Sequence, residues 1–239
     1  MQQPESVLTH TAATIAAQPR RADRPLVVAL AGLAGAGKSS LARALVALDP
    51  EIRARPRVSW WRYLASLPAV IPTFISLHRP YRGLLGKEMK RFLRLEALHR
   101  LVQETTDCRM LVFDEGPVYL LSRILVYGGQ NIQTRSFDEC WRRAIDTWAP
   151  ALDAIVWLEA PDNLLSERLR ARGKHPFADR SDEAVRRLLG AYGEAFTRVI
   201  RELTAAGGPR PWTVRTDRGS VASTARDLLA RLRALRGAA

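Results

Sequence analysis

The sequence predicts an α/β domain in which a five-stranded parallel sheet is covered by helices on both faces. Three observations carry that prediction. Apolar runs such as LVVALA (26–31), RMLVF (109–113) and DAIVWL (153–158) are unbroken, as in strands buried on both sides. Segments with apolar residues at helical spacing alternate with them, the order of a sheet wound by crossover helices. At 239 residues the chain fits one such domain better than two.

Residues 1–24 are expected to form a flexible tail, because Thr9, His10, Thr11 and Thr14 interrupt the apolar residues and the arginines come last, the wrong order for a secretory signal. The domain then spans 25–239. Strand 26–31 is followed by a Gly-rich turn and a helix through Leu41, Leu45 and Leu48. The run Arg57–Trp61 is read as the second strand. From Leu84 to Val102, apolar residues at 85, 89, 92, 93, 95, 98 and 101 predict a long amphipathic helix. Strand 109–113 leads through Gly116-Pro117 into a helix with Leu120, Leu121 and Ile124. Strand 153–158 leads through Pro161 into a helix with Leu164, Leu165 and Leu169. A charged loop, Arg172–Arg180, precedes a helix that Ser181 can cap; Trp212–Thr216 is the last strand, and Ser220 caps the closing helix.

Charge is the unusual property of the composition. Thirty-three arginines and four lysines against 24 acidic residues give a net charge of +13. Such a balance invites nucleic acid, an anionic membrane surface or phosphorylated small molecules. The basic residues are spread over most of the helices instead of forming one stripe, which disfavours nucleic acid. The most apolar long window, 58–77, holds Arg62, Pro68 and Pro72, so no transmembrane segment is expected. Two cysteines, Cys108 and Cys140, offer no disulfide framework and fit the cytoplasm. His10, His78, His99 and His175 show no metal-ligand spacing with them.

Gly32-Leu33-Ala34-Gly35-Ala36-Gly37-Lys38-Ser39 matches GxxxxGK[ST], the Walker A pattern, between a strand and a helix. Gly32, Gly35, Ala36, Gly37, Lys38, Ser39 and Ser40 are therefore the expected nucleotide-binding residues. Glycines let backbone N–H groups converge on phosphate oxygens, at the positive end of the following helix. Lys38 would bridge the β- and γ-phosphates of ATP, and Ser39 would ligate Mg²⁺. A carboxylate at the end of a neighbouring strand is needed for the same metal, and Asp114 ends RMLVF. Glu115 follows it as a candidate base for an attacking hydroxyl or water, or as an acid favouring the helix start at Gly116-Pro117.

The stretch PDNLLSERLRARGKHPFADR (161–180) gathers Arg168, Arg170, Arg172, Lys174 and Arg180. With Leu158, Ala160, Glu167, Arg168 and Arg172 in their places, the chain resembles the P-loop nucleoside and nucleotide kinases, especially the thymidylate-kinase-like and deoxynucleoside-kinase-like group. That resemblance implies a three-layer P-loop NTPase fold, an arginine-bearing lid at about 168–180, and catalytic roles for Lys38, Asp114, Glu115, Arg168 and Arg172. Deoxynucleoside kinases carry a Glu after the second strand and an Arg directly after the third-strand acid. This chain has Ser59-Trp60-Trp61-Arg62 and Glu115-Gly116 there.

The reading is an ATP- and Mg²⁺-dependent kinase for a nucleoside, nucleotide or other hydroxyl-bearing metabolite. A homodimer is compatible with it. Trp60, Trp61, Tyr63, Phe74 and Tyr81 are candidates for stacking on the acceptor, and Arg62, Arg79, Arg82 and Arg123 for holding an anionic one. Two other classes stay open: a P-loop ATPase coupled to a nucleic-acid or protein partner, and a membrane-surface enzyme acting on a lipid-linked alcohol.

Overall fold

The computed structural model describes residues 24–56, 61–66, 85–128, 135–171 and 181–237, without the side chains of 85–89, 135–136 and 182. The elements in chain order are β1 (Leu26–Ala31), α1 (Lys38–Leu48), β2 (Ile52–Ala54), α2 (Leu85–Glu104), β3 (Met110–Phe113), α3 (Pro117–Tyr127), α4 (Arg135–Trp148), β4 (Ala154–Glu159), α5 (Asp162–Ala171), α6 (Asp182–Ala205), β5 (Pro211–Arg215) and α7 (Val221–Gly237). Residues 61–66 are also helical.

The five strands form one parallel sheet in the order β2-β3-β1-β4-β5. Alternate residues of β1 face opposite layers, and both layers are apolar. Val27, Ala29 and Ala31 pack with Leu111, Phe113 and Ile155 against α2, α3, α4 and α6. Leu26, Val28 and Leu30 pack with Val112, Val156 and Leu158 against α1 and α7. The chain leaves β1 for the β2–β3 side and later crosses to the β4–β5 side. The loops after β1 and β3 therefore meet where the winding changes direction, the position at which open α/β sheets bind ligands.

The start of the β1–β4 pair is pinned by Asp153. Its Oδ2 accepts the Val27 backbone N–H at 2.7 Å, and Arg24 donates to both its carboxylate oxygens at 2.7 and 3.0 Å. The carboxylate is buried, and this fork satisfies it.

The predicted five-stranded parallel sheet and its two helical layers are present. One strand is elsewhere: the second is Ile52–Ala54, not Arg57–Trp61, and Trp61 begins the helical stretch 61–66. Positions 57–60 lie outside the described residues. β2 is only three residues long, and Ile52 alone is buried, so it carries too little pattern to read. Helix α4 was not expected from the sequence, although Phe137, Cys140, Trp141, Ile145 and Trp148 follow helical spacing and are all buried. Ser181 and Ser220 cap as expected, accepting the backbone N–H groups of Ala184 at 3.3 Å and Ser223 at 3.1 Å. No described helix is long and apolar enough to cross a membrane. The expected tail, apart from Arg24, and most of the lid, 172–180, lie outside the described residues.

Candidate functional site

The loop after β1 is shaped by its glycines. Gly32, Gly35 and Gly37 all have positive φ. A Cβ at Gly32 would lie 2.6 Å from the Leu158 carbonyl oxygen, and one at Gly35 would lie 2.9 Å from that of Leu165. The loop is thus pressed against the end of β4 and the first turn of α5. Ala36 is buried in the layer beneath it, and its N–H donates to the Leu33 carbonyl at 3.1 Å. Lys38 folds back over the loop, its Nζ donating to the carbonyls of Gly32 at 2.6 Å and Leu33 at 2.9 Å. Ser40 follows in the first turn of α1, half-buried.

Side chains from α1, β3 and the end of β2 meet beside this loop. The Ser39 hydroxyl donates to Asp114 Oδ2 at 2.9 Å, and Asp114 is buried. Arg55, the first residue past β2, donates through Nε to the same Asp114 oxygen at 2.5 Å and through its terminal nitrogen to Ser39 Oγ at 2.5 Å. Its backbone N–H still donates to Val112 at 3.1 Å, although its φ is +55°. A left-handed conformation at a residue with a long side chain is uncommon and is held only when its surroundings fix it. Here the ladder to β3 and the pair with Asp114 do so. No sequence motif marked Arg55.

Two cavities open from this cluster. One, of about 110 Å³, is lined by the loop, Lys38, Ser39, Asp114 and Glu115, with Tyr119, Tyr192 and Phe196 as its aromatic wall. The other, of about 430 Å³, lies on the β2 side and is lined by Arg55, Tyr63, Arg94, Leu98, Phe113, Asp114 and Glu115. Glu115 is exposed and borders both. Rings of Tyr119 and Tyr192 stack at 6.4 Å, linking α3 to α6, and the Arg123 guanidinium lies 5.6 Å from the Tyr119 ring. Burial pushes the phenols of Tyr119 and Tyr192 above their ordinary value, so both stay protonated at neutral pH.

The expected site residues are brought together unevenly. Lys38, Ser39, Asp114 and Glu115 border one pocket with Gly32, Gly35 and Gly37. Arg168 instead braces the loop from behind, donating to the Gly35 carbonyl at 3.3 Å and to the Thr216 carbonyl at 3.0 Å. Arg62 pairs with Glu104 at 2.8 Å, and Trp61 is exposed. Tyr63 does border the larger cleft. Arg172, Trp60, Phe74, Arg79, Tyr81 and Arg82 lie outside the described residues.

The donor set suits a hard divalent cation. Ser39 Oγ and the buried Asp114 carboxylate are oxygen ligands of the kind Mg²⁺ takes, and a guanidinium cation lies against both. Among the described residues no group of three His, Cys, Asp or Glu side chains forms a metal cluster.

No protein-family model matches the chain, and no curated protein matches it in sequence. Its structure is similar to that of deoxyadenosine kinase from M. mycoides, solved with bound dCTP, at a TM-score of 0.53 and 12% identity over 87% of this chain and 100% of that one. Shikimate kinase from Acinetobacter baumannii, in complex with shikimate, aligns at a TM-score of 0.47 and 15% identity over 89% of this chain and 95% of that one. At 12% identity the first likeness shows the fold alone, the three-layer P-loop NTPase fold that the resemblance implied.

Proposed function

We propose that the chain is an ATP-dependent phosphotransferase acting on a small hydroxyl-bearing metabolite. The observation that carries this reading is the convergence of Lys38, Ser39 and Asp114 on one pocket with the glycine loop, while Glu115 borders both that pocket and a second, larger cleft. Two adjoining spaces with a carboxylate between them suit a donor and an acceptor. The fold shared with deoxyadenosine kinase supports the same reading.

In this mechanism the loop N–H groups and Lys38 hold the triphosphate, Lys38 exchanging the carbonyls of Gly32 and Leu33 for phosphate oxygens. Ser39 and Asp114 would hold Mg²⁺, which when bound offsets charge on the phosphates. The acceptor hydroxyl lies in the larger cleft, and Glu115 takes its proton as the oxygen attacks. Tyr119 and Tyr192, protonated, offer donors at the pocket wall. Arg172 and the remainder of the proposed lid would close over the phosphates and exclude water, while Arg168 holds the loop itself. Cys108 and Cys140 form no disulfide among the described residues, which fits a cytoplasmic enzyme.

The test is ADP release measured with and without a panel of hydroxyl-bearing metabolites. Acceptor-dependent release with a phosphorylated product is the expected result. Turnover that ignores the panel and rises with DNA or RNA overturns the reading in favour of a partner-coupled ATPase.

A further inference from the structure

The larger cleft has a charge that the transfer chemistry alone does not require. Arg55 and Arg94 both border it, together with Tyr63 and Glu115, over a floor that includes Leu98 and Phe113. Arg94 is half-buried on α2 and has no ion pair among the described residues. Of the acids on its helix whose side chains are described, Glu96 pairs with Arg100 at 3.5 Å and Glu104 with Arg62 at 2.8 Å. Arg55 has its counter-charge in Asp114, the same carboxylate that the proposed function assigns to the nucleotide's metal.

Resting on that proposed function, we infer that the acceptor is an anion: a hydroxyl-bearing metabolite whose phosphate or carboxylate group is held by Arg55 and Arg94. When the Asp114 carboxylate also neutralises a metal, it no longer balances Arg55 alone, and the cleft is left with two guanidinium groups against the single exposed carboxylate of Glu115. An uncharged acceptor filling the cleft would take both cations out of water without pairing them. A phosphate or carboxylate pairs them, and the planar forks of arginine match its oxygens two at a time. A volume of about 430 Å³ admits a small metabolite of that kind. With the anion fixed there, the acceptor hydroxyl faces Glu115. Its oxygen forms the new bond to the γ-phosphorus, the bond from that phosphorus to the bridging oxygen breaks, ADP leaves with the electron pair, and the proton passes to the Glu115 carboxylate.

The experiment uses the full chain and matched pairs of probes: AMP against adenosine, glucose 6-phosphate against glucose, and shikimate against inositol. Binding is followed by calorimetry beside a non-hydrolysable ATP analogue, and transfer by radiolabelled γ-phosphate. Expected is that at least one charged member binds and its neutral counterpart does not. Arg94→Gln should then weaken that member about 10- to 100-fold while nucleotide affinity is kept, and Arg94→Lys should restore part of the loss. Phosphate and carboxylate probes are separate arms, so the preferred anion is read directly. Phosphorylation of neutral members alone, absence of binding by every charged member, or unchanged affinity in Arg94→Gln overturns the inference. Charged members that bind through Arg94 without ever being phosphorylated leave the cleft assignment standing and overturn the kinase reading instead.

Discussion

Arg55 Nε lies 2.5 Å from Asp114 Oδ2, so the carboxylate that ends the third strand is satisfied by a cation from its own chain. That oxygen already accepts from Ser39 and Arg55, so a divalent metal binding there must displace a donor and meets the like charge of the guanidinium. Arg55→Gln should therefore raise the affinity for Mn²⁺ with ADP, read by electron paramagnetic resonance, by about 3- to 10-fold. Thermal stability should fall, by about 1–2 kcal/mol, because a buried carboxylate loses a partner that is itself half-exposed. Equal or weaker Mn²⁺ binding in the variant contradicts the competition.

Lys38→Ala removes the ammonium that donates to the Gly32 and Leu33 carbonyls beside the pocket, where water can take its place. Transfer should drop by at least about 10³-fold, with the melting temperature nearly unchanged. Turnover near that of the natural chain contradicts the phosphate-loop assignment.

Glu115 is exposed, so Glu115→Gln should fold normally and bind nucleotide as before. If the carboxylate is the base, kcat should fall about 10²- to 10⁴-fold, and the acid limb of the pH–rate profile should disappear. Retained rate would leave Glu115 as a helix-start acid before Pro117.

Gly32→Ala sets a methyl group against the Leu158 carbonyl at a φ of +141°. Either β1 and β4 separate or the loop is distorted, and a loss of about 3 kcal/mol or more is expected in urea unfolding. A variant as stable as the natural chain contradicts the close approach.

Asp49 supplies a pH signature far from the site. Arg233 donates to its Oδ2 at 2.8 Å, and this bond holds the carboxyl below its ordinary value despite the opposing effect of burial. Since the folded pKa is depressed, the stabilisation is present above the unfolded value of about 4 and is lost as pH falls through the folded one. Asp49→Asn should cost about 1 kcal/mol at pH 7 and almost nothing at the acid end, read from denaturant midpoints at several pH values.

Much of this geometry is written locally. The run 26–31 and the glycines after it specify strand, turn and helix without help from the rest of the chain, and RMLVF places Asp114 by the same logic. The acceptor side is not local. Arg55 matters because Ile52–Ala54 lies beside Met110–Val112 in the sheet, and a three-residue edge strand with one buried side chain leaves almost no trace in the sequence. Arg94 is one polar position among many on an amphipathic helix until the cleft shows what it faces. Arg168 is the opposite case. Its spacing groups it with the other arginines of 168–180, but its bonds to the Gly35 and Thr216 carbonyls tie it to the loop after β1 and to the residue past β5.

That tie reaches beyond stability. One guanidinium joins the phosphate loop to the residue just past β5, and Thr216 in turn donates from its backbone to the Glu159 carbonyl at 2.8 Å, at the end of β4. The entropy of shaping the loop is therefore spent during folding, when the edge strand docks. Under the proposed function a nucleotide would meet a preorganised cradle, and its association rate should reflect diffusion and charge, with little contribution from loop rearrangement.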